Sequence, residues 1–169
     1  MKGTRILVTA TPKGHYEEVI IVGTPKPGTL MEITPEVAHV AGVFSYGAYG
    51  TTAYDGGDFV ENDGNRKAIA ILVEKDDEGG IYSDAYAAGD RARIYWPLMG
   101  EQFNMLVEDV AGTGDDFKIG EELMADNGTG KLLTADTDAE AHPFTSLEAI
   151  TNPTADHWLW CRFNGAGGA

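Results

Sequence analysis

The sequence predicts a mainly β protein: a compact barrel or sandwich of short antiparallel strands, with an extended N-terminal arm and little helix. Three observations predict it. Apolar runs are short and rich in β-branched residues, as in Val19-Ile20-Ile21-Val22 and Ala70-Ile71-Leu72-Val73. The 22 glycines, about twice the roughly 7% of average usage, fall singly between these runs and mark tight turns. No stretch holds a helical period over the length of an ordinary helix. At 169 residues the chain is one domain with an arm, long enough to bury a core.

Residues 1–16 carry one apolar stretch, Ile6-Leu7-Val8, between polar flanks with Pro12 and Gly14, and read as the arm. Residues 17–164 form the β domain, and 165–169 a flexible Gly/Ala tail. Val19–Val22 closes on Gly23 as a buried strand. Pro25-Lys26-Pro27-Gly28 is a turn that opens a strand over Thr29–Ile33, and Val37–Val40 is a further short strand. Residues 42–58 interleave glycines with Phe44, Tyr46, Tyr49 and Tyr54, a long loop.

Lys67–Glu74 is the strongest strand, followed by the solvated acidic turn Asp76–Gly80. Arg91–Trp96 alternates: Ala92, Ile94 and Trp96 face one way, Arg91, Arg93 and Tyr95 the other. Pro97 ends it, because proline donates nothing to a ladder. Phe103–Val107 is the next strand. Glu121–Met124 and Lys131–Thr134 flank Asp126–Gly130 as a hairpin, and Phe144–Ile150 and His157–Phe163 complete the set. Pro27-Gly28-Thr29-Leu30-Met31-Glu32 echoes Ile119-Gly120-Glu121-Glu122-Leu123-Met124, and each is followed later by an apolar strand carrying Glu, at Glu74 and Glu148. Two related halves or chance would each explain the echo.

Net charge is −15, a field that repels phosphate backbones and argues against nucleic-acid binding. Residues 1–27 hold Lys2, Arg5, Lys13 and Lys26 against Glu17 and Glu18; this +2 segment leaves −17 on the remainder (−15 less +2). No apolar run has the length of a membrane span, and the first residues lack a signal-peptide pattern, so folding in a cytoplasm is expected.

Reaction chemistry is hard to find. Asn127-Gly128-Thr129-Gly130-Lys131 resembles a phosphate loop, but Ala125 stands where the motif needs its first Gly and Leu132 where it needs Ser or Thr. Asp136, Asp138 and Glu140 alternate like the start of a calcium loop, but Ala141 and Leu147 occupy the positions that need Gly and Glu. Asp55-Gly56-Gly57-Asp58 is at most a weak cation loop. His15, His39, His142 and His157 lack ligand spacing. Cys161, the only cysteine, lies within an apolar strand and reads as buried and inert. No cofactor, no metal and no enzymatic activity are expected.

Surfaces are more informative. Tyrosine beside glycine puts large amphipathic rings on adaptable backbone, as binding loops do, although such rings also pack back onto their own domain. Trp158 and Trp160 share one face of the last strand, while Leu159, Cys161 and Phe163 share the other. A strand apolar on both faces is covered on both sides, by its own domain or by a second chain. Tyr46, Tyr49, Trp96, Trp158 and Trp160 are therefore the candidate subunit-interface residues.

The order of motifs resembles that of the capsid decoration, or cement, proteins of tailed bacteriophages. The resemblance rests on Pro27-Gly28-Thr29-Leu30, the strand Ala70–Glu74, and the link Asp84-Ala85-Tyr86-Ala87-Ala88-Gly89-Asp90 before a strand ending near Pro97. It continues through Gly120–Leu123, the Gly-x-Gly-Lys-Leu turn at 128–132 and Ser146-Leu147-Glu148-Ala149, covering roughly residues 25–150. It implies a small β-tulip-like domain without enzymatic activity, commonly trimeric. Such a domain sits on the outer surface of the expanded head, bridges major capsid subunits at three-fold or quasi-three-fold positions, and is made in the host cytoplasm. On that reading the arm, through Lys2, Arg5, Ile6, Leu7, Val8 and Lys13, reaches the capsid or a neighbouring copy and orders by strand addition. A stand-alone β-barrel binding module, for a carbohydrate or another ligand, and another phage head or tail component are the alternative readings.

Overall fold

The computed structural model describes residues 6–7, 14–33, 45–48, 70–74, 84–108, 116–126, 129–135, 143–151, 153 and 157–165. Among them are ten strands and no helix: β1 (His15–Ile21), β2 (Leu30–Ile33), β3 (Ser45–Ala48), β4 (Ala70–Leu72), β5 (Arg91–Trp96), β6 (Gln102–Val107), β7 (Glu122–Ala125), β8 (Leu132–Thr134), β9 (Phe144–Ser146) and β10 (His157–Phe163). The mainly β class expected from the sequence is the fold observed. The expected strand at Val37–Val40, the acidic turn at 76–80 and most of the 42–58 loop lie outside the described residues.

The strands close into two barrels, ordered β1-β3-β2-β4-β5 and β10-β6-β8-β7-β9. Their pairing is not antiparallel throughout, as the sequence led us to expect. Each barrel has one parallel junction, β1 with β3 and β6 with β8. The reason is geometric: around a closed ring of five strands, directions cannot alternate all the way, so one neighbouring pair must run the same way.

The two barrels have the same topology, strand for strand and register for register. In the first, Leu30 pairs with Ile71 and Met31 with Ala70; in the second, Glu122 pairs with Thr145 and Leu123 with Phe144. The turn bonds repeat as well. Gly28 N–H donates to Leu72 O at 2.8 Å and Gly120 N–H to Ser146 O at 2.9 Å; Val22 N–H donates to Tyr46 O and Glu108 N–H to Leu132 O, both at 2.8 Å. The echo between residues 27–32 and 119–124 is thus the trace of a repeated five-strand unit.

Each barrel is lined by its own alternating residues. Val19, Ile21, Met31, Tyr46, Ala70, Leu72, Ala92 and Ile94 fill the first. Met105, Val107, Leu123, Leu132, Phe144, Leu159, Cys161 and Phe163 belong to the larger cluster of the second. Leu30, Ile71, Val73 and Tyr95, on the outer face of the first barrel, join that second cluster. Strands β2, β4 and β5 are therefore covered on both faces, which is why Ala70-Ile71-Leu72 is apolar without interruption and wholly buried.

The seam is also hydrogen-bonded. Among the described residues β6 pairs with β8 only at Val107 and Leu132, so much of its edge is left for other partners. Asn104 N–H donates to Ile6 O at 2.7 Å, Leu106 N–H to Gly28 O at 3.0 Å, and on the far side Leu30 N–H to Gly130 O at 2.8 Å. Gly28 sits at φ 88°, and a Cβ there would stand 3.0 Å from both Asn104 O and Leu106 N. Its counterpart Gly120, at φ 83°, has nothing within 4 Å.

These two glycines give a paired prediction. Gly120→Ala loses only the backbone freedom of a left-handed position, about 1 kcal/mol. Gly28→Ala adds overpacking in the seam, for a total of about 2–4 kcal/mol. Urea denaturation midpoints of the two variants check this, and equal losses would refute the seam's tightness.

Candidate interaction surface

The residues expected to reach outward divide sharply. Ile6 is fully buried in the core of the second barrel, and Leu7 forms an antiparallel bridge with Phe103. The expectation that Ile6 contacts a capsid or a neighbour is therefore corrected, while Leu7 packs half-buried against the same core. Strand addition does occur, but onto this chain's own β6, because the sparse β6–β8 pairing leaves backbone groups there that need partners. Lys2, Arg5, Val8 and Lys13 lie outside the described residues.

The aromatic candidates are corrected in part. Tyr46 is only 6% exposed and lines the first barrel. Its ring meets Trp96 edge-on at 6.4 Å, and Trp96 Nε1–H donates to Glu17 Oε2 at 2.9 Å. Burial, and then the negative charge of Glu17, push the Tyr46 phenol up to about 12. Trp158 is half-buried, and its Nε1–H donates to the Pro27 carbonyl at 2.9 Å, so it serves the seam. Trp160 is 37% exposed and does face outward. The last strand is thus not sealed on both faces: Leu159, Cys161 and Phe163 are buried, while Trp160 and Arg162 are exposed. Tyr49 lies outside the described residues.

A polar knot locks the start of the first barrel to the start of the second. Tyr95 O–H donates to Glu101 Oε1 at 2.7 Å and accepts Gly14 N–H at 2.7 Å. Leu98 N–H donates to Glu101 Oε2 at 2.8 Å. Gly14 N–H also reaches Glu101 Oε1 at 3.4 Å, so this buried carboxylate is held by three donors, the arrangement a buried charge needs. Burial, with the Glu101 hydrogen bond second, raises the Tyr95 phenol well above its ordinary value. Sequence patterning placed Tyr95 on the face opposite Ile94 but gave no sign that a second barrel covers it.

Cys161 is fully buried, and burial pushes its thiol well above its ordinary value, as an inert cysteine requires. Among the described residues no group of three His, Cys, Asp or Glu could hold a metal ion. A cleft of about 430 Å³ at the seam is lined by Thr24, Lys26, Thr29, Leu106, Thr129 and Lys131 among others. Its Lys131 ammonium lies 3.7 Å from the Glu108 carboxylate. No described helix is long and apolar enough to cross a membrane.

Among the described residues, the exposed large apolar side chains are Ile119 at 72%, Met99 at 76%, and Leu98, Tyr16 and Trp160 at lower values. Sequence reasoning overlooked Ile119. The signal was present: an isoleucine stands in the second copy of a turn whose first copy has proline.

No protein-family model and no curated protein matches the sequence. Among solved structures, the chain is similar in fold to the head fiber gp8.5 N base in bacteriophage phi29. The TM-score is 0.51 at 8% identity, over 92% of this chain and 98% of that chain. At this identity the likeness is one of architecture, and it takes in both barrels.

The raised phenols set a pH dependence. A tyrosine whose folded pKa exceeds its unfolded value of about 10 holds its proton more tightly when folded. Its contribution is complete below about pH 10 and is lost as pH rises toward the folded value near 12 for Tyr46. Thermal melts should therefore hold steady to about pH 10 and fall steeply above it. Tyr95→Phe, which removes the O–H to Glu101, should cost about 1–3 kcal/mol at neutral pH and flatten the alkaline fall. An unchanged alkaline slope would contradict the assignment.

Proposed function

We propose that this protein is a structural component of a tailed-phage head: a decoration protein that binds the outside of the expanded shell and transforms no molecule. Three copies form a homotrimer that bridges major capsid subunits at three-fold or quasi-three-fold positions. The observation that carries this reading is the fold likeness to the phi29 head fiber base, which spans nearly all of both chains. The order of motifs from Pro27 to Ala149, which resembles the decoration proteins, agrees with it independently.

The physics suits the role. A protein that binds the mature lattice and not the free subunit stabilises the shell by mass action. A trimer touching several capsid subunits gains avidity, since the later contacts form within one complex. A net charge of −15 keeps crowded copies soluble and turns phosphate backbones away, so nucleic acid is not a partner on this reading. A virion location, on the outer surface after assembly in the host cytoplasm, follows from this reading. The neighbour's own role as a head fiber base favours a second reading, in which the chain is the base of a head fibre.

The test mixes the purified protein with expanded, undecorated heads of its own phage and with unexpanded ones. Saturable co-sedimentation with expanded heads only, and a higher melting temperature of the decorated shell, are expected. Absence of binding to expanded heads would sink the proposal. Cryo-electron microscopy of the decorated particle separates the two readings: a low cap supports decoration, and a projecting stalk supports a fibre base.

A further inference from the structure

The repeated unit contains an unanswered asymmetry. In the first barrel, the turn at Pro27-Gly28 and the outer face of β2, β4 and β5 dock onto the second barrel. The matching parts of the second barrel are the turn Lys118-Ile119-Gly120 and the outer face of β7, β9 and β10. There Ile119 is 72% exposed, Gly120 has open space around it, and Trp160 and Arg162 face outward. The register identifies the counterparts. Tyr95 and Arg162 match because they face the equivalent residues Ile71 and Thr145. Phe103 and Glu17 match through their partners Cys161 and Ile94, and Trp158 and Arg91 through Leu106 and Ile20.

The geometry points to a head-to-tail contact between copies of this chain, in which the Ile119–Gly120 turn and the β7–β9–β10 face of one copy dock on the N-terminal barrel of the next around Glu17 and Arg91. The occupant follows from the intrachain seam, where the same turn and face already dock on a barrel of this fold. The chemistry at the matched positions is complementary. The seam's Tyr95–Phe103 ring contact at 5.8 Å is replaced by Arg162 facing Glu17. The Trp158 Nε1–H bond to the Pro27 carbonyl is replaced by the Arg91 guanidinium facing the Ile119 carbonyl. One feature differs: β1 and β3 pair at two positions, where β6 and β8 pair at one. The arriving turn therefore rests on side chains and does not enter the ladder. Such a contact is heterologous, using different surfaces on the two copies, and closes into a ring where the rotation allows. It supplies the surface for the self-association in the proposed function, and it rests on that reading only for the number of copies.

The test needs no phage heads, so its failure is distinct from failure to bind them. Light scattering after size exclusion is run at physiological salt on the full chain, on Ile119→Asp and on Arg91→Glu. Both substituted side chains are exposed, and matching melting temperatures verify the fold. The wild type is expected as an oligomer of the 18.1 kDa chain, and each variant as a monomer or at least about tenfold weaker in association. The two variants mixed should recover a pair of unlike chains, because one keeps the turn and the other keeps the barrel surface. A monomeric wild type, an Ile119→Asp variant that associates like wild type, or a mixture that stays monomeric would each overturn the contact.

Discussion

A closed ring with an odd number of strands must contain a parallel junction, and much of this molecule follows from how that junction is made. In the second barrel it is a single residue pair, Val107 with Leu132. Strand β6 runs from Gln102 to Val107, so among the described residues most of one edge has no neighbour inside its own barrel. Buried amides cannot be left unmatched without a cost of about 1–3 kcal/mol each. Ile6 and Gly28, both from the other half of the chain, supply the carbonyls. The join between barrels is therefore a requirement of barrel closure as well as a hydrophobic contact.

The join in turn sets the chemistry of each face. Where β2, β4 and β5 meet the second barrel, the outward positions are Leu30, Ile71 and Tyr95; at the matching outward positions of the second barrel stand Glu122, Thr145 and Arg162. The same backbone thus carries a double-sided and a single-sided version of one sheet. Only the double-sided version can seal a buried carboxylate, Glu101, against Tyr95.

This division also explains what the sequence made legible. Arg91–Trp96 and His157–Phe163 were delimited correctly, because local alternation and the bounding Pro97 are enough to define a strand. The hairpin about Asp126–Gly130 was legible from its turn residues. The burial of Ile6 was not, since one short apolar run among polar neighbours carries no sign of which edge it will meet. Whether Tyr46 and Trp158 serve their own domain or a second chain was not legible, because a ring's amphipathic character does not reveal whether its polar tip will find Glu17, Pro27 or water. The repeat showed as a faint echo: its registers match while its side chains diverge, Leu30 against Glu122 and Tyr95 against Arg162.

The placement of Ile6 and Leu7 bears on how the chain is born. Ribosomes deliver the first barrel before the second exists, at about 5–20 residues per second, so its greasy outer sheet stays bare for several seconds of translation. During that interval Ile6 has no socket, because Phe103 and Asn104 are still unmade or inside the tunnel. Nascent chains stalled between the halves would therefore be the sticky species in the cell, and release of the last strand would bury their hazard and tether their front end in one event.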